Sequence, residues 1–110
     1  MTKKSIQKME QEFIKNDFPL LAFMLHESIR KGDIFKAAIL FDTFMKEYVK
    51  RLYQKNSNDS LVQAVGFNAS VHVMKFLEKR FDEKQVDEFA NSLLEVAKFS
   101  DEEVAELMVD

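Results

Sequence analysis

The side chains that most often hold metals or attack bonds are represented here by two histidines, His26 and His72, and seven serines; cysteine is absent. Without cysteine there is no thiolate nucleophile, no sulfur-ligated zinc and no disulfide framework. His26 opens the run His26-Glu27-Ser28-Ile29-Arg30, which lacks the second imidazole one helical turn on that a zinc-binding helix needs. Neither histidine completes a Glu-x-x-His pair, the signature of a carboxylate-bridged di-iron bundle. Each therefore reads as a structural histidine. A metal or small-ligand site in the core would require His26 and His72 to meet beside a carboxylate.

Other chemistries fare no better. Gly32 and Gly66 are isolated, so no glycine-rich loop brings backbone N–H groups to a phosphate. The serines fall in predicted caps, loops or helices rather than on a strained strand-to-helix elbow. The acidic pairs Asp87-Glu88 and Asp101-Glu102-Glu103 sit at predicted helix starts, where the dipole favours negative charge. The expectation is a protein that is not an enzyme, with no catalytic residues, no cofactor and no metal site.

Binding is the remaining class. Lys46, Lys50, Arg51 and Lys55 cluster on one predicted helix and form the alternative reading, a nucleic-acid patch. The competing explanation is that cations near a helix C-terminus complement its dipole. Lys75, Lys79 and Arg80 lie on the next helix toward its other end and need not join them. Val65-Gly66-Phe67-Asn68-Ala69-Ser70 resembles the turn of a DNA-reading helix-turn-helix. The sixth and ninth positions after that glycine should then be apolar, and they are His72 and Lys75.

These side chains must be carried by helices, because apolar residues recur at helical spacing almost throughout. Ile6, Met9 and Phe13 stripe a first helix, predicted to stop near Asn16-Asp17 because the residue before Pro19 disfavours the α region. Pro19 suits the first turn of a second helix, Gly32 closes it in a left-handed cap, and Asp33 is expected to cap the third with its carboxylate. The third helix spans about Ile34–Gln54. Its stripe is Ile34, Ala38, Phe41, Met45, Tyr48 and Leu52, widened by Ala37, Leu40 and Phe44. Asp42–Lys46 and Glu47–Arg51 are predicted ion pairs. A loop over Lys55–Ser60 precedes a fourth helix at about Leu61–Phe81, in which Gly66 marks a close crossing. Phe67, Ala69, Val71 and Val73 also alternate like a strand there. Capping boxes at Asp82/Gln85 and Ser100/Glu103 start a fifth helix and a short acidic one.

The fold expected is all-α: a compact antiparallel bundle of about five helices plus a short C-terminal helix, in one domain over residues 1–110. The chain has 110 residues, two Gly and one Pro, which argues against turn-dense sandwiches and barrels. Its longest apolar run, Phe18–Leu25, is too short to cross a bilayer, and Met1-Thr2-Lys3-Lys4 is no secretory start. A cytoplasmic protein is expected. Net charge is −3. The first half carries 11 Lys/Arg against 7 Asp/Glu (+4) and the second 5 against 12 (−7), which suggests electrostatic pairing between halves or subunits.

The stretch Gly32-Asp33-Ile34-Phe35-Lys36-Ala37-Ala38-Ile39-Leu40-Phe41 carries a likeness. With its Gly-Asp turn, Ala37 and Phe41, residues 21–45 are similar to one tetratricopeptide unit. That resemblance implies a role in protein binding; a solenoid of such units needs about three, and only one is present. Eleven Phe are more than one small core readily holds. The surplus points to a protein partner or a homodimer, bound through Phe13, Phe18 and Phe99 and through Val104, Leu107 and Met108 of the acidic stub. The leading expectation is a small adaptor or regulatory protein.

Overall fold

The computed structural model describes residues 3–109, so the reading of the first two residues as part of a non-secretory start lies outside the described residues. Six α-helices follow one another: α1 (Lys3–Glu12), α2 (Phe18–Arg30), α3 (Ile34–Lys55), α4 (Asp59–Arg80), α5 (Glu83–Val96) and α6 (Asp101–Met108). A π-helical turn, Phe13–Asp17, joins α1 to α2 without a break, leaving five helical rods among the described residues. The fold is all-α, as expected. None of the helices is long and apolar enough to cross a membrane among the described residues.

The expected stop at Asn16-Asp17 is not there. Phe18 stays helical at φ −58°, ψ −41° despite preceding Pro19, and its N–H reaches back five residues to the Phe13 carbonyl. In a regular helix the proline ring would strike the carbonyl four residues back. The wider π turn relieves that contact and keeps the rod intact. Gly32 does end α2 at φ +87°, a conformation that costs other residues strain. Its N–H donates to Ile29 O (3.0 Å) and the Asp33 N–H to Ser28 O (2.8 Å), the paired bonds of a Schellman cap.

Asp33 then differs from expectation. Its carboxylate makes no capping bond; only its carbonyl is used, accepting the Ala37 N–H at 3.1 Å. The preceding cap fixes its backbone at φ −89°, ψ 60°, away from the extended geometry that a side-chain cap uses. Asn58 does cap, accepting the Leu61 N–H at 3.0 Å, so α4 begins at Asp59, earlier than the pattern predicts. Both predicted capping boxes form, at Asp82/Gln85 and Ser100/Glu103.

α3 is the spine. The whole predicted stripe from Ile34 to Leu52 is buried, together with Ala37. α2 and α4 run opposite to α3: Asp17 before α2 meets Arg51 near the end of α3, and Gly66 of α4 faces Val49. A methyl group on Gly66 would sit 3.3 Å from Val49 Cγ2, so the predicted close crossing is present. α4 is one continuous helix through Gly66, without the strand or the interrupted turn that its alternation also allowed. α5 packs chiefly on α3, where Phe89 meets Phe41 edge to face at 5.8 Å. Asp42 pairs with Lys46 as predicted (3.0 Å). Arg51 does not take Glu47; it reaches Asp17 at 3.2 Å, with its guanidinium over the Tyr48 ring at 5.9 Å.

Burial pushes the Tyr48 phenol up to about 12, with Asp17 adding to the effect. In the unfolded chain a tyrosine ionises near ~10. A raised folded value means stability fully present below about pH 10 and lost as pH rises toward about 12. Urea unfolding midpoints are expected to fall across that window, and Tyr48→Phe is expected to flatten the fall.

Candidate functional site

Both α4 and α5 lie against α3, yet they touch each other little. The space between them is a groove of about 790 Å³, open to solvent rather than enclosed. Its floor is apolar: Phe41, Met45 and Val49 from α3, Val62 and Gly66 from α4, and Leu93 from α5. The absence of a side chain on Gly66 brings α4 close to Val49 and deepens that side. Phe67 stands at the lip, 68 % exposed. Tyr53, 43 % exposed, lines the loop end.

Polar groups edge the groove and brace it. Tyr53 donates its hydroxyl proton to Asp59, which ties the end of α3 to the start of α4 and raises the phenol above its usual range. Lys46 Nζ lies 2.9 Å from Asp101 and 3.0 Å from Asp42, and those two carboxylates raise its ammonium above the ordinary lysine value, Asp101 most. Lys46 thereby neutralises the buried Asp42 Oδ2 and bolts the start of α6 to α3. Lys50 is exposed on the same edge and forms no ion pair among the described residues.

The predicted site residues are scattered. Phe13 is 1 % exposed and packs against Tyr48 (5.0 Å) and Phe18 (6.2 Å). It is core, because the π turn aims it inward, and the expectation that it offers a surface is corrected. Val104 is corrected likewise: it is buried against the core as the foot of α6. Phe18 and Phe99 are half-buried and packed against the core. Phe18 stacks edge-on with His72 (4.5 Å) and Phe76 (5.3 Å). Leu107 and Met108 are exposed, although Met108 Sδ accepts a bond from the Thr43 hydroxyl at 3.4 Å.

The basic cluster is divided as well. Lys46 and Lys50 face the groove, while Arg51 and Lys55 face a cleft beside α1. Two of the four are already paired with carboxylates, Lys46 and Arg51. His26 lies against Phe81 (5.2 Å) and His72 against Phe18, so each imidazole has an aromatic ring as a neighbour. No three His, Asp or Glu gather as a metal site among the described residues.

The strongly exposed phenylalanines are Phe67 and Phe23, at 68 % and 65 %, and neither is among the contact residues expected from sequence. A signal for Phe67 was available. Ser60 to Met74 contains no Asp, Glu, Lys or Arg, in a chain that is 32 % charged. An exposed helix without charges for four turns leaves an uncharged face on the surface. No protein-family model, no curated protein and no solved structure matches the chain, so the tetratricopeptide likeness of residues 21–45 stays a local one.

Proposed function

We propose that this chain is a non-enzymatic interaction protein, an adaptor or regulator, that takes a helical surface of a protein partner into the groove between α4 and α5. The observation that carries this reading is the apolar floor of an open groove with Phe67 exposed at its lip. Helix-in-groove recognition uses that combination: apolar anchors seated in a trough, with polar groups at the edges setting orientation. Aromatic side chains, Phe among them, are also enriched at protein interfaces relative to the rest of the surface.

The reading is tested by photo-crosslinking in cells. A benzophenone side chain replaces Gln63, which is exposed at the groove edge. A control places it at Leu20, which is 60 % exposed on α2. The expected result is a polypeptide adduct from position 63 and far less from position 20. Adduct formation at neither position, or equally at both, would overturn the assignment of the groove.

A further inference from the structure

α6 is lightly anchored. Val104 is buried, and no other residue of Asp101–Met108 is. Asp101 pairs with Lys46 at 2.9 Å, and Met108 Sδ accepts the Thr43 hydroxyl at 3.4 Å. The α6 backbone runs close to no other helix for any length. An exposed ion pair contributes little and is screened by salt. A segment with so few buried contacts opens on its own, ahead of the fold as a whole. The Ser100/Glu103 box starts α6 locally, but a helix of eight residues is marginal without packing. Once released, α6 frays.

The pair that latches α6 is shared with the groove. Asp42 and Lys46 line the groove, and with Thr43, Glu47 and Val104 they also line a cleft of about 200 Å³ beside α6. Glu47 bears the same sign as the acidic helix, so Lys46 supplies the attraction there. The two carboxylates on Lys46 are held differently. Asp42 is half-buried, its Oδ2 is shut off from water, and Lys46 is its counter-charge, so Lys46 stays beside it. Asp101 stands almost wholly in solvent and leaves easily. The charged residues lining the groove are one carboxylate, Asp42, and two ammoniums, Lys46 and Lys50, a sum of +1. Asp101 balances that charge at the edge. α6 is itself the kind of helix an apolar groove takes. It carries Val104, Leu107 and Met108 at i, i+3 and i+4, beside Asp101, Glu102, Glu103 and Glu106, with no Lys or Arg.

We infer that α6 is an internal competitor at the groove: an acidic helix of the partner takes Lys46 from Asp101, and α6 lets go. This rests on the interaction reading above and supplies the chemistry of the partner. A helix seated in the groove meets both Lys46 and Lys50, whereas α6 reaches Lys46 alone. Docked α6 therefore lowers the affinity for that helix, and by linkage the helix loosens α6 to the same degree.

Amide hydrogen exchange of the purified chain and crosslinking from position 63 together test this. Asp101–Met108 should exchange faster than α3, and faster still as salt rises from about 0.1 M to about 1 M. Asp101→Asn should speed that exchange at low salt, remove its salt dependence and leave α3 and α4 unchanged. In the chain with benzophenone at position 63, Asp101→Asn should raise the yield of polypeptide adduct by about 2- to 5-fold, the range for one exposed ion pair. The segment joined to position 63, sequenced by mass spectrometry, should hold more Asp and Glu than Lys and Arg. Exchange along α6 as slow as along α3 overturns the inference. So does an adduct yield that Asp101→Asn leaves unchanged or lowers, and so does a joined segment with no acidic excess; in these cases the interaction reading stands. No adduct from parent or variant removes the interaction reading and the competitor with it.

Discussion

Replacing Phe13 with Ala is expected to lower the free energy of unfolding by about 3–5 kcal/mol, the range for removing a fully buried aromatic ring. The ring is 1 % exposed and wedged between Tyr48 of α3 and Phe18 of α2. Its removal leaves a cavity where three helical segments meet, and a close-packed interior collapses only partly into such a space. Domains of this size are stable by about 5–15 kcal/mol, so the loss is a large share of the total. Thermal unfolding followed by circular dichroism is expected to show a melting temperature lower by about 10–25 °C. A change in partner binding at unchanged stability would instead mean that the ring faces solvent. The same measurement on Phe67→Ala should move stability little, because that ring is mostly in water.

Phe89→Ala is expected to cost a similar amount, about 3–5 kcal/mol. Phe89 is 0 % exposed and holds α5 to α3 through its edge-to-face contact with Phe41. α5 has little else to rest on, since α4 barely touches it. The damage should therefore reach beyond the cavity. α5 forms one wall of the groove, so amide hydrogen exchange should speed up along Glu83–Val96 more than along α4. Uniform acceleration of all helices would show that α5 is not the loosened element. Tyr48 and Phe41 lie seven residues apart on α3, two turns along one stripe, so the costs of the two substitutions should be close to additive.

Much of this arrangement was legible before any coordinates. The α3 stripe repeats at a period only one surface of a helix can satisfy, and the entire stripe is buried. The two capping boxes were legible because their partners lie three residues apart and need nothing from the tertiary structure. Two features escaped for opposite reasons. The break predicted before Pro19 applied a sound local rule to the wrong helix type, because a π turn moves the carbonyl that the ring would strike. Asp33 failed as a side-chain cap because hydrogen bonds from the previous helix had already set its backbone. The groove lip was missed for a different reason. Phe is usually buried, so its type says nothing about which of eleven rings stays outside. The surplus of Phe points to Phe13, Phe18 and Phe99 and not to Phe67, whose exposure depends on α5 packing against α3 instead of α4.

The π turn has an effect on everything that follows it. In an α-helix each residue advances by about 100° around the axis, so Phe13 and Leu21, eight positions apart, would point about 80° away from each other. The π turn absorbs one residue without advancing the rotation. The effective separation becomes seven, and Leu21 returns to within about 20° of Phe13. Leu25 and Ile29, both buried, follow from Leu21 in regular steps. The turn is thus a phase correction: it joins two apolar stripes written one residue out of step into a single seam. Shortening the chain by one residue between Ile14 and Asp17 would restore regular hydrogen bonding. Because the seven positions then left between Phe13 and Leu21 again span about 20°, the phase would be kept, and Ile6 and Met9 would stay on the core they now pack against.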